Sequence, residues 1–416
     1  MTSENTLLIV AEMATSGATT GVNRYLSQWL DALANTQTRI IYLRFESNRF
    51  NYLVHRKQKQ HYLEVKIPLP EAVSTLVGRQ SRMQQYMEVI FPSIQDCFEE
   101  GCILHLHTIN LIDLALHVKK RMGCHVIMHL HCIPWKNLYN SNRERFAFLQ
   151  RKVTQHQKAR PRKAEFYVIS NEQEAYEHAD EIICVTHSGQ AFLEQQGIDN
   201  RKISVIYNGL PDSPTPIRRS YQLSPLPKVL FVGSAHQSKG LSFVIKAIDQ
   251  LQKCGYPVEL IIAGRVRPQH KAQWQEEFPH LHLDFKGNLP YEELCVLYRE
   301  ADIGVIASLQ EQCSYAAIEM MMHALPIVST AVDGLGEMFT HEQDALLTDV
   351  DVNEDGMLTF DVNQLTTHLI RLLHDRNLRQ RIGFAARQRY LQQFSMAAMY
   401  RQTFQVYHQI LKSCPK

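Results

Sequence analysis

The chain of 416 residues is 45% hydrophobic and 21% charged, with a formal net charge of +2. That length suits two or three domains with a sizeable core, and the balanced charge excludes a global pull towards nucleic acid or an anionic membrane. Nine cysteines, an odd number without a CxxC pair, read as reduced thiols rather than a disulfide framework. The opening MTSENTLLIVAEM has too short an apolar run and no basic stretch for a signal peptide, and no window is apolar for long enough to span a membrane. A cytoplasmic protein is expected, with any membrane contact peripheral.

Thr6–Met13 predicts a first strand, followed by a glycine-containing loop and a helix in which Tyr25, Leu26, Trp29, Leu30 and Leu33 recur at helical spacing. The loop at Gly21 suits close approach to a ligand phosphate, but it is not a GxGxxG fingerprint, so a dinucleotide site is poorly supported. Strands are predicted at Arg39–Phe45 and His61–Leu69, and a helix over Arg79–Glu99. Ile103–Thr108 and His125–His131 are two more strands, separated by a helix from Leu111 to Met122. This βαβ alternation predicts a parallel, doubly wound sheet whose ligands lie at the strand C-terminal ends.

Two of those strands end in HxH, His105 with His107 and His129 with His131, each pair on one face. Four such histidines could hold a metal, but neither cluster carries a carboxylate to complete or orient the site. Core or cleft histidines, one of them lining a ligand pocket, is the preferred reading. Asn140–Lys163 is helical in pattern and ends basic, with Arg151, Lys152, Lys158, Arg160, Arg162 and Lys163 and no acidic residue among them. It reads as a solvated face or as a landing site for an anionic acceptor or membrane surface. It lacks the interleaved aromatics of a single-stranded nucleic-acid site. Ala179–Leu210 gives strand, helix, strand and an Asn208-Gly209 turn, and the prolines at 211, 214, 216, 225 and 227 mark a linker.

The second half repeats the pattern. Lys228–Gly233 is a buried strand, and the loop SAHQSKG leads into a helix with Val244, Ile245, Ile248 and Leu251 on one face. Lys239, just before that helix, repels its dipole unless an anion lies between them, which argues for a bound phosphate. Strands at Val258–Gly264 and from Leu283 into a turn at Pro290 precede a helix to Glu300. Then come a strand, Ile303–Ala307, a polar loop, Ser308–Ser314, and a helix start, with Glu311 and Glu319 bracketing the turn. Unpaired N–H groups at Ser314, Tyr315, Ala316 and Ala317 would form an anion site between two hydroxyl-accepting carboxylates, matching the diphosphate, ribose and hexose of a sugar nucleotide. The plainer alternative is a solvated helix cap with acids placed for the dipole. A strand at Pro326–Thr330, a loop AVDGLGE, a surface pair Asp349 and Asp351, helices over Thr366–Leu391 and an amphipathic last segment complete the chain.

The order of these motifs resembles the GT-B glycosyltransferases, and within them the retaining group 1 enzymes of family 4, over nearly the whole chain. The resemblance rests on the E-x7-E of Glu311 and Glu319 with ALPIVST after it, on FVG…SKG around Lys239, on ADEIICVT…KISVIYNG, and more weakly on the TGVNRY loop at Gly21 and the strand end at His131. It implies an α/β fold of two Rossmann-like parallel-sheet domains facing across a cleft. The acceptor-side domain would span residues 1–210 and the nucleotide-sugar domain 211–392, with a return helix, 393–416, packing on the first domain.

It also implies that Lys239 neutralises the donor diphosphate and that Glu311 holds the transferred sugar. Glu319 would accept from the ribose, and Ser314, Tyr315 and Ala316 would hold phosphate through backbone N–H groups. His131 and Gly21 would complete the site, and the turns at Arg265 and Asn288 would face the base. The implied reaction moves a hexose-type sugar from a nucleotide sugar, a UDP-sugar ahead of a GDP-sugar, to a hydroxyl of a glycan, lipid-linked or peptide acceptor. The anomeric configuration is retained, and no metal or other cofactor is implied.

Two departures stand out. Ser234 and Ala235 follow the FVG strand where the family has arginine, and Gln312, Cys313 and Ser314 replace the usual glycines and phenylalanine. His236, Arg265 or Arg267 is expected to supply the missing phosphate charge. The alternative is a non-catalytic sugar-nucleotide-binding subunit whose site has decayed at Ser234. A phosphorylase would want a lysine for pyridoxal phosphate and an epimerase would want first-domain carboxylates at a strand end; neither stands out.

Overall fold

A computed structural model describes residues 7–14, 21–36, 38–47, 53–70, 79–133 and 172–412. These fall into two compact units. One holds the described residues up to 133, 172–207 and 400–412, and the other holds 208–399. The division after Tyr207 lies slightly before the expected 210, and the chain rejoins the first unit at Tyr400 rather than 393. The basic helix expected over 140–163 lies outside the described residues.

The first unit is an eight-stranded sheet in the order β3-β4-β2-β1-β5-β6-β7-β8. Its strands are β1 (Leu7–Ala14), β2 (Arg39–Ser47), β3 (His55–Gln58), β4 (Leu63–Leu69), β5 (Ile103–Leu106), β6 (His125–Leu130), β7 (Glu181–Cys184) and β8 (Ile203–Val205). All pairings are parallel except β3 with β4. The central strands are continuous apolar runs, as a sheet covered on both faces requires; Leu8, Ile9, Val10 and Ala11 are buried along β1. Helix α1 (Gly21–Ala32) buries Tyr25, Leu26, Trp29 and Leu30. Helices α2 (Arg79–Ile90), α3 (Ile112–Met122) and α4 (His187–Gln195) follow, α2 ending before 3-10 turns that replace the rest of the helix expected to Glu99.

The second unit is a six-stranded, wholly parallel sheet in the order β11-β10-β9-β12-β13-β14. Its strands are β9 (Lys228–Val232), β10 (Glu259–Ala263), β11 (His282–Gly287), β12 (Ile303–Ile306), β13 (Ile327–Thr330) and β14 (Leu346–Thr348). Helices α5 (Leu241–Lys253), α6 (Pro268–Glu277), α7 (Tyr291–Glu300) and α8 (Tyr315–Met322) alternate with them. AVDGLGE, expected as loop, forms a short helix α9 (Asp333–Met338). Val350–Val352 and Leu358–Phe360 make a hairpin, β15 and β16, with Asp351 exposed on it. Helices α10 (Val362–His374) and α11 (Arg376–Arg389) precede α12 (Met396–Lys412), whose Tyr400, Phe404 and Tyr407 rings lie 5.8, 6.2 and 6.5 Å from that of Trp29. Among the parallel strands of each unit the sequence order reverses once, between β1 and β5 and between β9 and β12. Open parallel sheets bind ligands at such switch points.

Candidate active site

The second unit builds its site from the loops after β9 and β12, the two strands that flank its switch point. Beyond β9 the chain runs through Ser234 and Ala235 into a 3-10 turn, Gln237–Lys239, and then into α5 through Gly240 at φ +69°. Gly240 is required there: a Cβ would lie 1.9 Å from the carbonyl oxygen of Ala307, at the end of β12. The two loops are tied by Leu309 N–H donating to Ser238 O at 2.8 Å. They place the Lys239 ammonium in an ion pair with the Glu311 carboxylate, and the Ser308 hydroxyl is 3.5 Å from the same carboxylate oxygen. Glu311 is also fixed through its backbone, whose carbonyl accepts from Gly334 N–H at 3.1 Å. Thr330 at the end of β13 donates its hydroxyl to Ser308 O at 2.6 Å.

Helix α8 starts immediately after this loop. Ser314 is its N-cap, its hydroxyl accepting from Ala317 N–H at 3.4 Å. The first intrahelical bond runs from Ile318 N–H to Ser314 O. The anion-facing set expected over 314–317 is therefore smaller, because the cap takes the Ala317 N–H. The first-turn amides of Tyr315 and Ala316 precede any intrahelical bond and sit at the positive end of the helix dipole. Glu319, one turn in, is buried at 2% exposure and accepts from the Tyr298 hydroxyl at 2.5 Å. Gln312 and Cys313 are buried beneath the loop, Asn208 Nδ2 donates to Cys313 O at 3.3 Å, and burial pushes the Cys313 thiol well up.

The ends of β9, β10 and β11 meet through backbone. Gly264 N–H donates to Gly287 O at 2.8 Å, and Ala235 N–H to Arg265 O at 3.0 Å. A Cβ on Gly264 would lie 2.1 Å from Gly233 O. Arg265 and Asn288 are thereby exposed residues just past neighbouring strand ends, with Arg265 beside the Ser234–Ala235 turn. His236 is committed locally, its Nδ1 lying 2.7 Å from Ser238 Oγ.

In the first unit, Gly21 opens α1, and the loop before it lies outside the described residues. The four histidines at the ends of β5 and β6 do come together. His107 Nδ1 is 2.9 Å from His131 Nε2, His105 Nδ1 is 2.7 Å from the Tyr407 hydroxyl, and His129 Nδ1 is 3.4 Å from that of Tyr25. Burial holds all four neutral, His105 and His131 pushed down to about 3 and His107 and His129 well below their usual value. Donor atoms of His105, His107 and His129 lie within 4.8 Å of one another. The rings stack, however: His129 is 11° from parallel to His131 and 17° from His105. An imidazole ligand binds an ion in its own ring plane, so near-parallel stacked rings suit packing better than shared ligation.

Residues 20–213 match the family described as Glycosyltransferase Family 4, and residues 226–375 the one described as Glycosyl transferases group 1. The chain is a GT-B glycosyltransferase of the group 1, family 4 type. It is 27% identical over 231 residues to a glycogen synthase of Mycobacterium tuberculosis, covering 54% of this chain and 53% of that one. It is 27% identical over 205 residues to a sulfoquinovosyl transferase of Arabidopsis thaliana, covering 49% and 37%. The glycosyltransferase thus spans about half the length of the first of these relatives and less of the second. Its fold is that of a sucrose-phosphate synthase from Thermosynechococcus elongatus, with TM-score 0.71, 18% identity and 98% and 100% of the two chains covered. It is also that of Anabaena HepE in complex with UDP-glucose, with TM-score 0.67, 17% identity and 97% and 99% covered.

Three features of this glycosyltransferase escaped the sequence reading. The ion pair of Lys239 with Glu311 joins residues 72 apart. Tyr298, the partner of Glu319, lies in the helix expected to Glu300 and carries no signal of its own there. Glu12, near the end of β1, is buried, bonded by the Tyr42 hydroxyl and 3.5 Å from Arg44, and burial raises its pKa; a lone acid inside LLIVAEM was its only signal. Among the described residues, no helix is long and apolar enough to cross a membrane.

Proposed function

We propose that this glycosyltransferase moves a hexose-type sugar from a nucleotide sugar, UDP- ahead of GDP-linked, to a hydroxyl acceptor, with retention of configuration and without a metal. The observation that carries this reading is the pairing of Lys239 with Glu311 at the switch point, in the loop that leads into α8, with Glu319 about one turn into that helix. Donor binding would split the ion pair. The diphosphate takes Lys239 and the amides of Ser314, Tyr315 and Ala316, the transferred sugar's hydroxyls take Glu311, and the ribose hydroxyls take Glu319. A fixed cation and a helix N-terminus already oppose the charge that grows on the leaving diphosphate, which is the work a metal would otherwise do. The leaving phosphate oxygen receives the acceptor's proton as the new glycosidic bond forms on the same face. His131 and the Gly21 loop are assigned to the same donor. Asn288 and Arg265 border the base, and Arg265 is the substitute for the arginine missing at Ser234, since its backbone adjoins that turn. The basic 151–163 stretch is proposed to meet an anionic acceptor or membrane surface.

Ser234 favours a second reading, a subunit that binds sugar nucleotides without turning them over. The deciding experiment incubates the protein with UDP- and GDP-sugars, with and without EDTA, and follows sugar release and its anomeric form by NMR. Slow hydrolysis to the retained anomer, unaffected by EDTA and lost in Glu311→Ala, supports the transferase. Nucleotide binding without any hydrolysis supports the subunit.

A further inference from the structure

Tyr298 has no part in the roles assigned above, yet its surroundings are unusually constrained. It is fully buried on α7, and its hydroxyl donates to Glu319 Oε2 at 2.5 Å. Its ring stacks on His323 at 5.2 Å and 21°. The His323 ring nitrogen Nδ1 is 2.9 Å from the Glu319 carbonyl oxygen, which can only accept, so it donates there. Arg219, half-buried in the linker, holds the backbone of both Tyr298 and His323. Its guanidinium donates to the carbonyls of Tyr298 and Ala301, and reaches that of His323 at 3.4 Å. One cation therefore pins the C-terminal turn of α7 and the C-terminal end of α8 together. Glu319 is thus gripped at its carboxylate by Tyr298 and at its backbone by His323.

A purely structural carboxylate would be an odd choice here. Burying one costs far more than burying Gln or Leu unless it is bonded as an anion, and a phenol donor would then be needed only because the acid is there. We propose that Tyr298, backed by Arg219, is a positioning residue that sets the orientation in which Glu319 receives the ribose hydroxyls of the donor. This rests on the assignment of Glu319 to the ribose.

The test compares UDP, GDP and ADP with their 2′,3′-dideoxy forms by calorimetry on the full chain, in wild type, Tyr298→Phe, Arg219→Lys and Glu319→Gln. Wild type should bind the better ribonucleotide at least about 10-fold more tightly than its dideoxy form, the scale of a charge-assisted hydrogen bond. Glu319→Gln should erase most of that preference, and Tyr298→Phe should erase it while leaving the dideoxy affinity unchanged. Arg219→Lys, which keeps the hydroxyl, should show the same pattern at smaller amplitude and serves if Tyr298→Phe does not fold. If Glu319→Gln alone erases the preference and Tyr298→Phe and Arg219→Lys keep it, the positioning role is wrong. If Tyr298→Phe weakens both forms equally, the tyrosine is only structural. If Glu319→Gln keeps the preference, or no nucleotide binds, the ribose assignment fails and the role of Tyr298 falls with it.

Discussion

Mild acid should destabilise the first unit before the carboxylates of the chain titrate. His105, His107 and His129 are 0%, 5% and 1% exposed, and burial holds all three below their ordinary value of 6.5, His105 at about 3. In the unfolded chain each takes up a proton near pH 6.5, while the folded form stays neutral. The sign follows: the stability these groups carry is complete above the unfolded value and is lost as pH falls towards the folded one. The unfolded imidazole is already half protonated at pH 6.5, so each contributes a loss of about 1 kcal/mol over the next pH unit, and the three together remove about 3 kcal/mol between pH 6.5 and 5.5. That is a large part of the roughly 5–15 kcal/mol that holds a typical domain folded. The assay is urea unfolding at pH 7.5, 6.5 and 5.5 in matched salt, followed by tryptophan fluorescence in Trp274→Phe, which silences the tryptophan on α6 in the second unit. The midpoint should change little from 7.5 to 6.5 and fall steeply to 5.5. A midpoint equal at 7.5 and 5.5 would show that these rings are solvated or charged in the fold, and the reasoning would be refuted.

Two further outcomes follow from the loops of the second unit. Gly240→Ala should cost about 3 kcal/mol or more, because φ +69° and the Ala307 carbonyl both oppose a Cβ, whereas Gly255→Ala, at φ +83° with open space around it, should cost only about 1–2 kcal/mol; thermal unfolding of the two variants side by side checks the difference. Ser314→Ala should lower stability by about 0.5–2 kcal/mol through the lost cap on Ala317 N–H, and an unchanged melting temperature would mean the cap is not formed.

Much of this architecture is legible in the chain because buried parallel strands announce themselves. KVLFV, ELIIA and IGVI are short apolar runs bounded by glycine, proline or polar residues, and each is a strand within a residue or two of its expected limits. What stays hidden is what the apolar pattern does not control. The edge strand His55–Gln58 reads HRKQ and is exposed throughout, so nothing in it alternates. The strands of the hairpin after Asp349 are three residues each, too short for their alternation to stand out from loop. HxH alternation put each histidine pair on one strand face, but only the pairing of β5 with β6, at His105 opposite Ile127, brings the two pairs together. For the site, the types and spacing of Lys239, Glu311 and Glu319 were readable as anion and hydroxyl chemistry. That Lys239 and Glu311 neutralise each other was not, since it depends on β9 and β12 being neighbours. Tyr298 is invisible for a related reason, since its place in a helix says nothing of the carboxylate that its hydroxyl meets.

If Lys239, Glu311 and the start of α8 form a nucleotide-sugar site, nucleotides should raise the melting temperature through them. Purified protein is melted with UDP, GDP, ADP and their common sugar conjugates, in wild type and in Lys239→Ala. One nucleotide series, at about 100 times its Kd, should add roughly 2.7 kcal/mol of stability. In Lys239→Ala the shift at the same concentration should largely vanish while the ligand-free melt stays cooperative. A shift that survives intact in Lys239→Ala, or no shift with any nucleotide, would mean that these residues do not hold a nucleotide sugar.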